Sequence, residues 1–206
     1  MKLSTVYGAE MDVNTYLISS EKAAVIIDPG VCNDEVKSFI NDNKTKDFYI
    51  LLTHNHFDHI LGANKVRELC GGKIYISQQD ASGLMDGEIN LTTRFCIPFT
   101  PFEADEIFND GDELTLSDVS IKVMITPGHS KGSACFIIGD WMFSGDTLFR
   151  SSVGRTDFVN GDRNEQIASL KRLYALECDY DVFAGHGPAT RLSYEKQYNP
   201  YMREIL

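Results

Sequence analysis

Residues 53–59 read Thr-His-Asn-His-Phe-Asp-His and hold three of the chain's five histidines together with an aspartate. The other two, His129 and His186, each follow a glycine at the end of an apolar run, as does Asp146 in Ser-Gly-Asp. Imidazole and carboxylate are donors that suit a borderline divalent cation. His54, His56, Asp58, His59, His129, Asp146 and His186 are enough donors for two ions. No histidine is left over for another task.

The spacing divides the set. Alternate residues of an extended segment point the same way, so His54 and His56 suit one chelate. Asp58 and His59 come next, at the expected start of a helix running on through Ala63 to Cys70. Adjacent residues there diverge by about a quarter turn, so they serve a neighbouring position. The expectation is a first site of His54, His56 and His129, a second of Asp58, His59 and His186, and Asp146 bridging them. A closed structural zinc site is the competing reading, but such sites are typically rich in cysteine, and this set contains no thiolate.

Donors so far apart in sequence need a scaffold that gathers them. Short β-rich runs fall at residues 16–18, 24–27, 48–52, 74–76, 121–125, 135–138, 141–143 and 181–183. Four of these runs lead into the donors: residues 48–52 into His54, 121–125 through Thr-Pro-Gly into His129, 141–143 through Ser-Gly into Asp146, and 181–183 through Ala-Gly into His186. Glycine before a donor permits a sharp turn or close approach. If the four strands share an edge, the donors converge there. Helical spacing marks residues 33–43, with Val36, Phe39 and Ile40 on one face. It also marks residues 162–176, which open with the capping-box variant Asp162-x-x-Glu165 and continue with Ile167, Leu170 and Leu173 or Tyr174. A short helix from near Ser193 is expected to end at Asn199-Pro200. Residues 87–106 read as one long loop. The outcome is a mixed α/β chain.

The bulk composition excludes several classes. A length of 206 residues, 24% charged and 43% hydrophobic, fits one globular domain spanning 1–206. A net charge of −11 argues against nucleic-acid or anionic-membrane partners, which repel an acidic surface. The opening Met-Lys-Leu-Ser-Thr-Val-Tyr-Gly-Ala-Glu lacks a signal-like apolar segment, and no apolar run is long enough to span a bilayer. A cytoplasmic protein acting on a small molecule is expected. Cys32, Cys70, Cys96, Cys135 and Cys178 are scattered with no C-x-x-C pair, as free thiols in a reducing compartment would be.

The stretches Thr53–His59, Thr126-Pro-Gly-His-Ser-Lys-Gly-Ser133, Ser144-Gly-Asp-Thr-Leu-Phe149, Gly154-Arg-Thr-Asp-Phe158 and Ala184-Gly-His-Gly-Pro-Ala-Thr190 share a further property. Together with Glu195-Lys196 and Asn199-Pro200, they resemble the metallo-β-lactamase-fold hydrolases, and among these the glyoxalase II-like (hydroxyacylglutathione hydrolase-like) branch. The resemblance covers nearly the whole chain. It implies a four-layer αβ/βα sandwich, two mixed sheets face to face with helices on the outer faces and the metals at one edge. It also implies two divalent ions, zinc first and iron or manganese as alternatives, and Asp28 as a brace for the donor loop. Arg155 and Asp157 pair near a pocket mouth or form a surface salt bridge. Lys131 and Arg150 meet an anionic substrate or stay solvated.

The expected chemistry is hydrolysis by a hydroxide bridging the two cations. A thioester suits it, because a thiolate with a pKa of about 8.5 leaves with little help from an acid, and Asp58 or a bound water can supply a proton. Lactone, β-lactam or phosphoester hydrolysis would use the same inventory. The Gly-Arg-Thr-Asp-Phe segment also resembles iron persulfide dioxygenases, for which His54, His129 and Asp146 would be the ligands. A metal-binding protein without catalysis is the third reading. Glutathione-dedicated relatives carry a further carboxy-terminal helical segment, and the sequence ending at Leu206 does not include it.

Overall fold

The computed structural model describes residues 1–8 and 12–204. Ala9 and Glu10 of the amino-terminal stretch read above, and the chain end at Leu206, lie outside the described residues. The first half of the chain builds one sheet from β1 (Lys2–Tyr7), β2 (Asn14–Ser19), β3 (Ala23–Ile27), β4 (Asp47–Leu51), β5 (Lys73–Ser77) and β6 (Glu106–Phe108). Its helices are α1 (Asp34–Asp42), α2 (Phe57–Ile60), α3 (Ala63–Cys70) and the single turn α4 (Thr92–Phe95). The second half supplies β7 (Glu113–Leu116), β8 (Val119–Ile125), β9 (Ala134–Ile138), β10 (Trp141–Gly145), the small ribbon β11 (Leu148–Phe149) and β12 (Ser152–Val153), then β13 (Asp181–Ala184) and β14 (Thr190–Arg191). Helices α5 (Arg163–Tyr174), α6 (Leu192–Tyr198) and α7 (Pro200–Glu204) complete it.

Both large sheets are mixed. The first has the order β1-β2-β3-β4-β5-β6, with β3, β4, β5 and β6 parallel. The second has the order β14-β13-β10-β9-β8-β7, with β10 and β13 parallel and the remaining neighbours antiparallel. Period-two alternation assigns the faces. In β3, Ala23, Val25 and Ile27 join Tyr16, Leu51 and Phe108 against Ile121, Val123, Phe136 and Phe143 of the other sheet. Ala24 and Ile26 face the opposite way and pack with Val36, Ile40, Ala63 and Val66 of α1 and α3. Cys135, Ile137 and Met142 on the outer face of the second sheet meet Leu170 and Leu173 of α5, Leu192 of α6 and Met202 of α7. Three apolar layers between four structural layers are therefore filled as the αβ/βα expectation requires.

Several local expectations change. The helix expected to run from Asp58 through Cys70 is two helices. Gly62 donates its N–H to the Pro29 carbonyl at 2.8 Å, which takes it out of the helical ladder between α2 and α3. The loop at residues 87–106 holds the turn α4 and ends in strand β6. The helix near Ser193 starts at Leu192 and stops before Pro200, where α7 begins. The Asp162 cap works one way only: its carboxylate accepts from the N–H of Asn164 and Glu165 at 2.7 and 3.0 Å. The Asp162 N–H donates instead to the Gly128 carbonyl at 2.8 Å, tying the start of α5 to the turn that carries His129.

Candidate metal centre

All seven expected donors come to one edge. The sheet order explains why: β8, β10 and β13 run the same way through the second sheet, so the residues after their carboxyl ends emerge together. The loop after β4 meets them from the first sheet. The donor atoms form three tight groups, His54 with His56 and His129, His54 with His59 and Asp146, and Asp58 with His59 and His186, each within 4.8 Å. His56 Nδ1 lies 2.8 Å from His129 Nε2. His186 Nε2 lies 3.1 Å from Asp58 Oδ2 and 3.4 Å from His59 Nε2. Asp146 reaches both sides, with Oδ1 3.4 Å from His59 Nε2 and Oδ2 3.4 Å from His129 Nε2. The distances gather His54, His56 and His129 on one side and Asp58, His59 and His186 on the other, with the Asp146 carboxylate near both. The tight group that contains His54 and Asp146 is completed by His59, not His129.

Acceptors behind the rings settle which nitrogen faces inward. His129 Nδ1–H donates to the Arg155 carbonyl at 2.7 Å, His186 Nδ1–H to the Asp12 carbonyl at 3.0 Å, and His59 Nδ1–H to Asp28 Oδ2 at 2.9 Å. His54 Nδ1–H reaches Thr53 Oγ1 at 3.1 Å, whose own proton goes to Asp28 Oδ2. Each of these four rings, when neutral, is thereby held in the tautomer that leaves the Nε2 lone pair for a cation. Asp28 also accepts the Thr53 N–H at 2.7 Å, so one carboxylate buried to 1% exposure braces the donor loop and His59 together.

The donor set fits a metal. His54 Nε2 is fully buried with no hydrogen-bond partner among the described residues. Leaving such a group unsatisfied costs about 1–3 kcal/mol, and a cation held there would remove that cost. Protonation states agree at His54, His56 and Asp146, whereas at His59 a cation would have to displace a proton. Burial, followed by the neighbouring histidines, holds His54 well below the ordinary imidazole range. Burial and His129 push His56 down to about 3. Burial opposes charge on Asp146, but His59 and His129 outweigh it and keep the carboxylate ionised. Burial likewise opposes charge on His59, yet Asp58, Asp146 and Asp28 raise its pKa.

A pH dependence follows for the metal-free protein. His56 binds a proton less readily folded than unfolded, so its contribution is intact above about 6.5 and is lost as pH falls toward about 3. His59 and His186, raised in the fold, contribute with the opposite sign and lose their contribution as pH rises. The difference between wild type and His56→Gln isolates the first effect. Melting curves in chelator from pH 8 to pH 4 should show the wild type losing stability more steeply; parallel profiles would refute it.

A cavity of about 430 Å³ opens onto the donors. His56, Asp58, His129, Asp146 and His186 form its floor, and Leu91, Phe95, Phe149, Val153 and Phe158 form apolar walls. Arg155 also lines it, bound to Asp157 through two hydrogen bonds of 2.6 and 2.7 Å and stacked 4.0 Å from the Phe158 ring centroid. Both members of that pair are more than half exposed, so pocket mouth and surface salt bridge are the same place. Lys131 and Arg150 do not line this cavity, and Arg150 borders a separate one with Phe183, Tyr194 and Tyr198. The wall residues Leu91 and Phe95 come from the long loop, where periodicity carries no signal. Asp80 likewise carries no sequence signal: it follows a strand end, but a lone aspartate in Gln-Gln-Asp has nothing else to mark it.

A four-layer sandwich with imidazole and carboxylate donors gathered at an open edge defines a class of metal-dependent hydrolases. The chain belongs to the metallo-β-lactamase superfamily, whose family model matches residues 8–186. It is 32% identical over 206 residues to the probable metallo-hydrolase YqgX of Bacillus subtilis, covering 98% of each chain. It is 34% identical to hydroxyacylglutathione hydrolase GloC of Haemophilus influenzae, covering 88% of each. Among solved structures, TTHA1623 in a di-iron-bound form superposes with a TM-score of 0.84 at 30% identity, covering 96% of this chain and 99% of that one. Among the described residues, no helix is long and apolar enough to cross a membrane.

Proposed function

We propose that the protein hydrolyses a small-molecule thioester at a pair of divalent cations, with zinc the first choice of metal. His54, His56 and His129 would hold one cation, Asp58, His59 and His186 the other, and Asp146 would lie between. Such ions, when bound, supply Lewis acidity and bring the pKa of water toward neutrality. The observation that carries the reading is the make-up of the cavity, with ionisable groups confined to the donor floor and the exposed Arg155–Asp157 pair and apolar walls elsewhere. The walls exclude water and seat an acyl chain. Asp58, held ionised by His59 and His186 against its own burial, can take a proton at the carboxylate oxygen turned away from the cation and return it to a departing group. No histidine remains to act as a strong acid. A leaving thiolate needs none, whereas an alkoxide does.

The test is a panel of thioesters and matched oxygen esters, lactones and phosphoesters with zinc-, iron- and manganese-loaded protein. Thioesters should be turned over at least about tenfold faster than their oxygen esters, and chelation should stop the reaction. Turnover of lactones or phosphoesters with thioesters untouched would replace this reading. A second reading, an iron persulfide dioxygenase, draws on the Gly154–Phe158 segment and on His129 Nε2 lying 3.4 Å from Asp146 Oδ2. It requires oxygen uptake with glutathione persulfide by iron-loaded protein, and the donors of the second group argue against it.

A further inference from the structure

We infer that Asp80 is a positioning residue for the His54, His56 and His129 group in particular, separate from the brace that Asp28 gives to His59. The inference rests on the two-cation reading above. Asp80 follows the carboxyl end of β5 and is 1% exposed. Its carboxylate accepts from Ser130 Oγ at 2.6 Å, the Gly132 N–H at 2.7 Å and the Asn55 N–H at 3.2 Å. Asn55 also donates its side-chain amide to the Asp80 carbonyl at 3.2 Å. Asn55 sits between His54 and His56, and Ser130 directly follows His129. One carboxylate therefore grips both loops that carry the three imidazoles.

Burying a carboxylate among neutral donors is unfavourable, and burial pushes the Asp80 pKa up. The surroundings are nevertheless built around it. A Cβ on Gly132 would lie 2.0 Å from Ser77 Oγ and 2.8 Å from Asp80 Cγ, so only glycine lets this N–H approach. The Ser130 N–H donates to Ser133 Oγ at 3.1 Å. Because Ser130 gives its hydroxyl proton to Asp80, the Ser133 hydroxyl must donate in turn to Ser130 Oγ, 2.7 Å away.

The division of labour follows from strand order. β3, β4 and β5 are parallel neighbours, so Asp28 after β3 and Asp80 after β5 flank the donor loop after β4 on its two sides. Asp28 touches Thr53 and His59, whereas Asp80 touches Asn55 and the loop of His129.

Calorimetric zinc titration of chelator-stripped protein tests this without reference to turnover. Wild type should bind two ions in resolvable steps. Asp80→Asn should weaken one step by about 10–100-fold and spare the other. Asp28→Asn, which alters the carboxylate that holds His59 directly and His54 only through Thr53, should weaken the step that Asp80→Asn spares at least as much as the other. Ser130→Ala, which keeps the two backbone donors, should weaken the Asp80-sensitive step by less, and it carries the test if Asp80→Asn does not fold. In the background of His56→Gln, Asp80→Asn should leave the remaining step unchanged. A structural role alone would lower the melting temperature and shift both steps together, which would overturn the inference. So would Asp28→Asn leaving unchanged the step that Asp80→Asn spares. In either case the two-cation reading survives; a wild type that takes up no zinc, iron or manganese would overturn both.

Discussion

Asp146→Ala is expected to lower metal-dependent turnover by about 10³-fold or more, beyond the roughly 10–100-fold typical of losing a partner one contact removed from a metal. The Asp146 carboxylate lies beside both groups, with Oδ1 3.4 Å from His59 Nε2 and Oδ2 3.4 Å from His129 Nε2 and 3.6 Å from His186 Nε2. Its removal takes the shared negative charge from between the proposed cations and leaves His59 with Asp58 and Asp28 as its acidic neighbours. Asp146→Asn keeps the shape while discarding the charge, so it should lose nearly as much. Metal analysis of the purified variant should find fewer than two ions per chain. Wild-type rates with both variants would sink the assignment of Asp146, and wild-type rates in fully metal-stripped protein would sink the mechanism.

Gly185→Ala should also be strongly damaging although it adds only a methyl group. The new Cβ would lie 2.3 Å from Asp146 Oδ1 and 2.6 Å from the His59 ring. The clash is not easily relieved: His59 is pinned through Nδ1 to Asp28, and the Gly185 backbone is itself bonded to Gly145 and Asn14, at 2.8 and 2.7 Å. A displacement of about 1 Å at a reacting centre can cost about 10²-fold in rate. The expected result is a loss of that size in kcat, with weaker binding of the ion held by His59 and a melting temperature of the metal-free protein within a few degrees of wild type. Unchanged kcat and metal affinity would show that the backbone there yields more easily than its hydrogen bonds indicate.

These two effects illustrate how legible the site was. The donor types, the strand ends that carry them and the glycine before each of three donors all lie within a few residues of one another, and short-range pattern reads such things well. The same pattern blurred where the decisive contact is distant. The helix after Asp58 breaks because Gly62 bonds to Pro29, over thirty positions earlier in the chain. The capping box at Asp162 lost its return bond because Gly128 competes for the same N–H. Strands β1 and β7 are absent from the sequence pattern because each is an edge strand with partly exposed alternation, and their apolar signal is weak.

The sequence by itself determined the α/β class and the family and singled out seven candidate donors, because each is written in residue type and spacing. Tertiary structure alone decided which ring nitrogen faces inward, since the deciding acceptors are Asp28, Thr53 and the carbonyls of Asp12 and Arg155. It also decided that Asp80 grips two loops fifty and twenty-five positions away, and that Arg150 turns from the cavity. The reason is physical: local chemistry selects a conformation, but a hydrogen bond between segments far apart exists only after the sheets have packed.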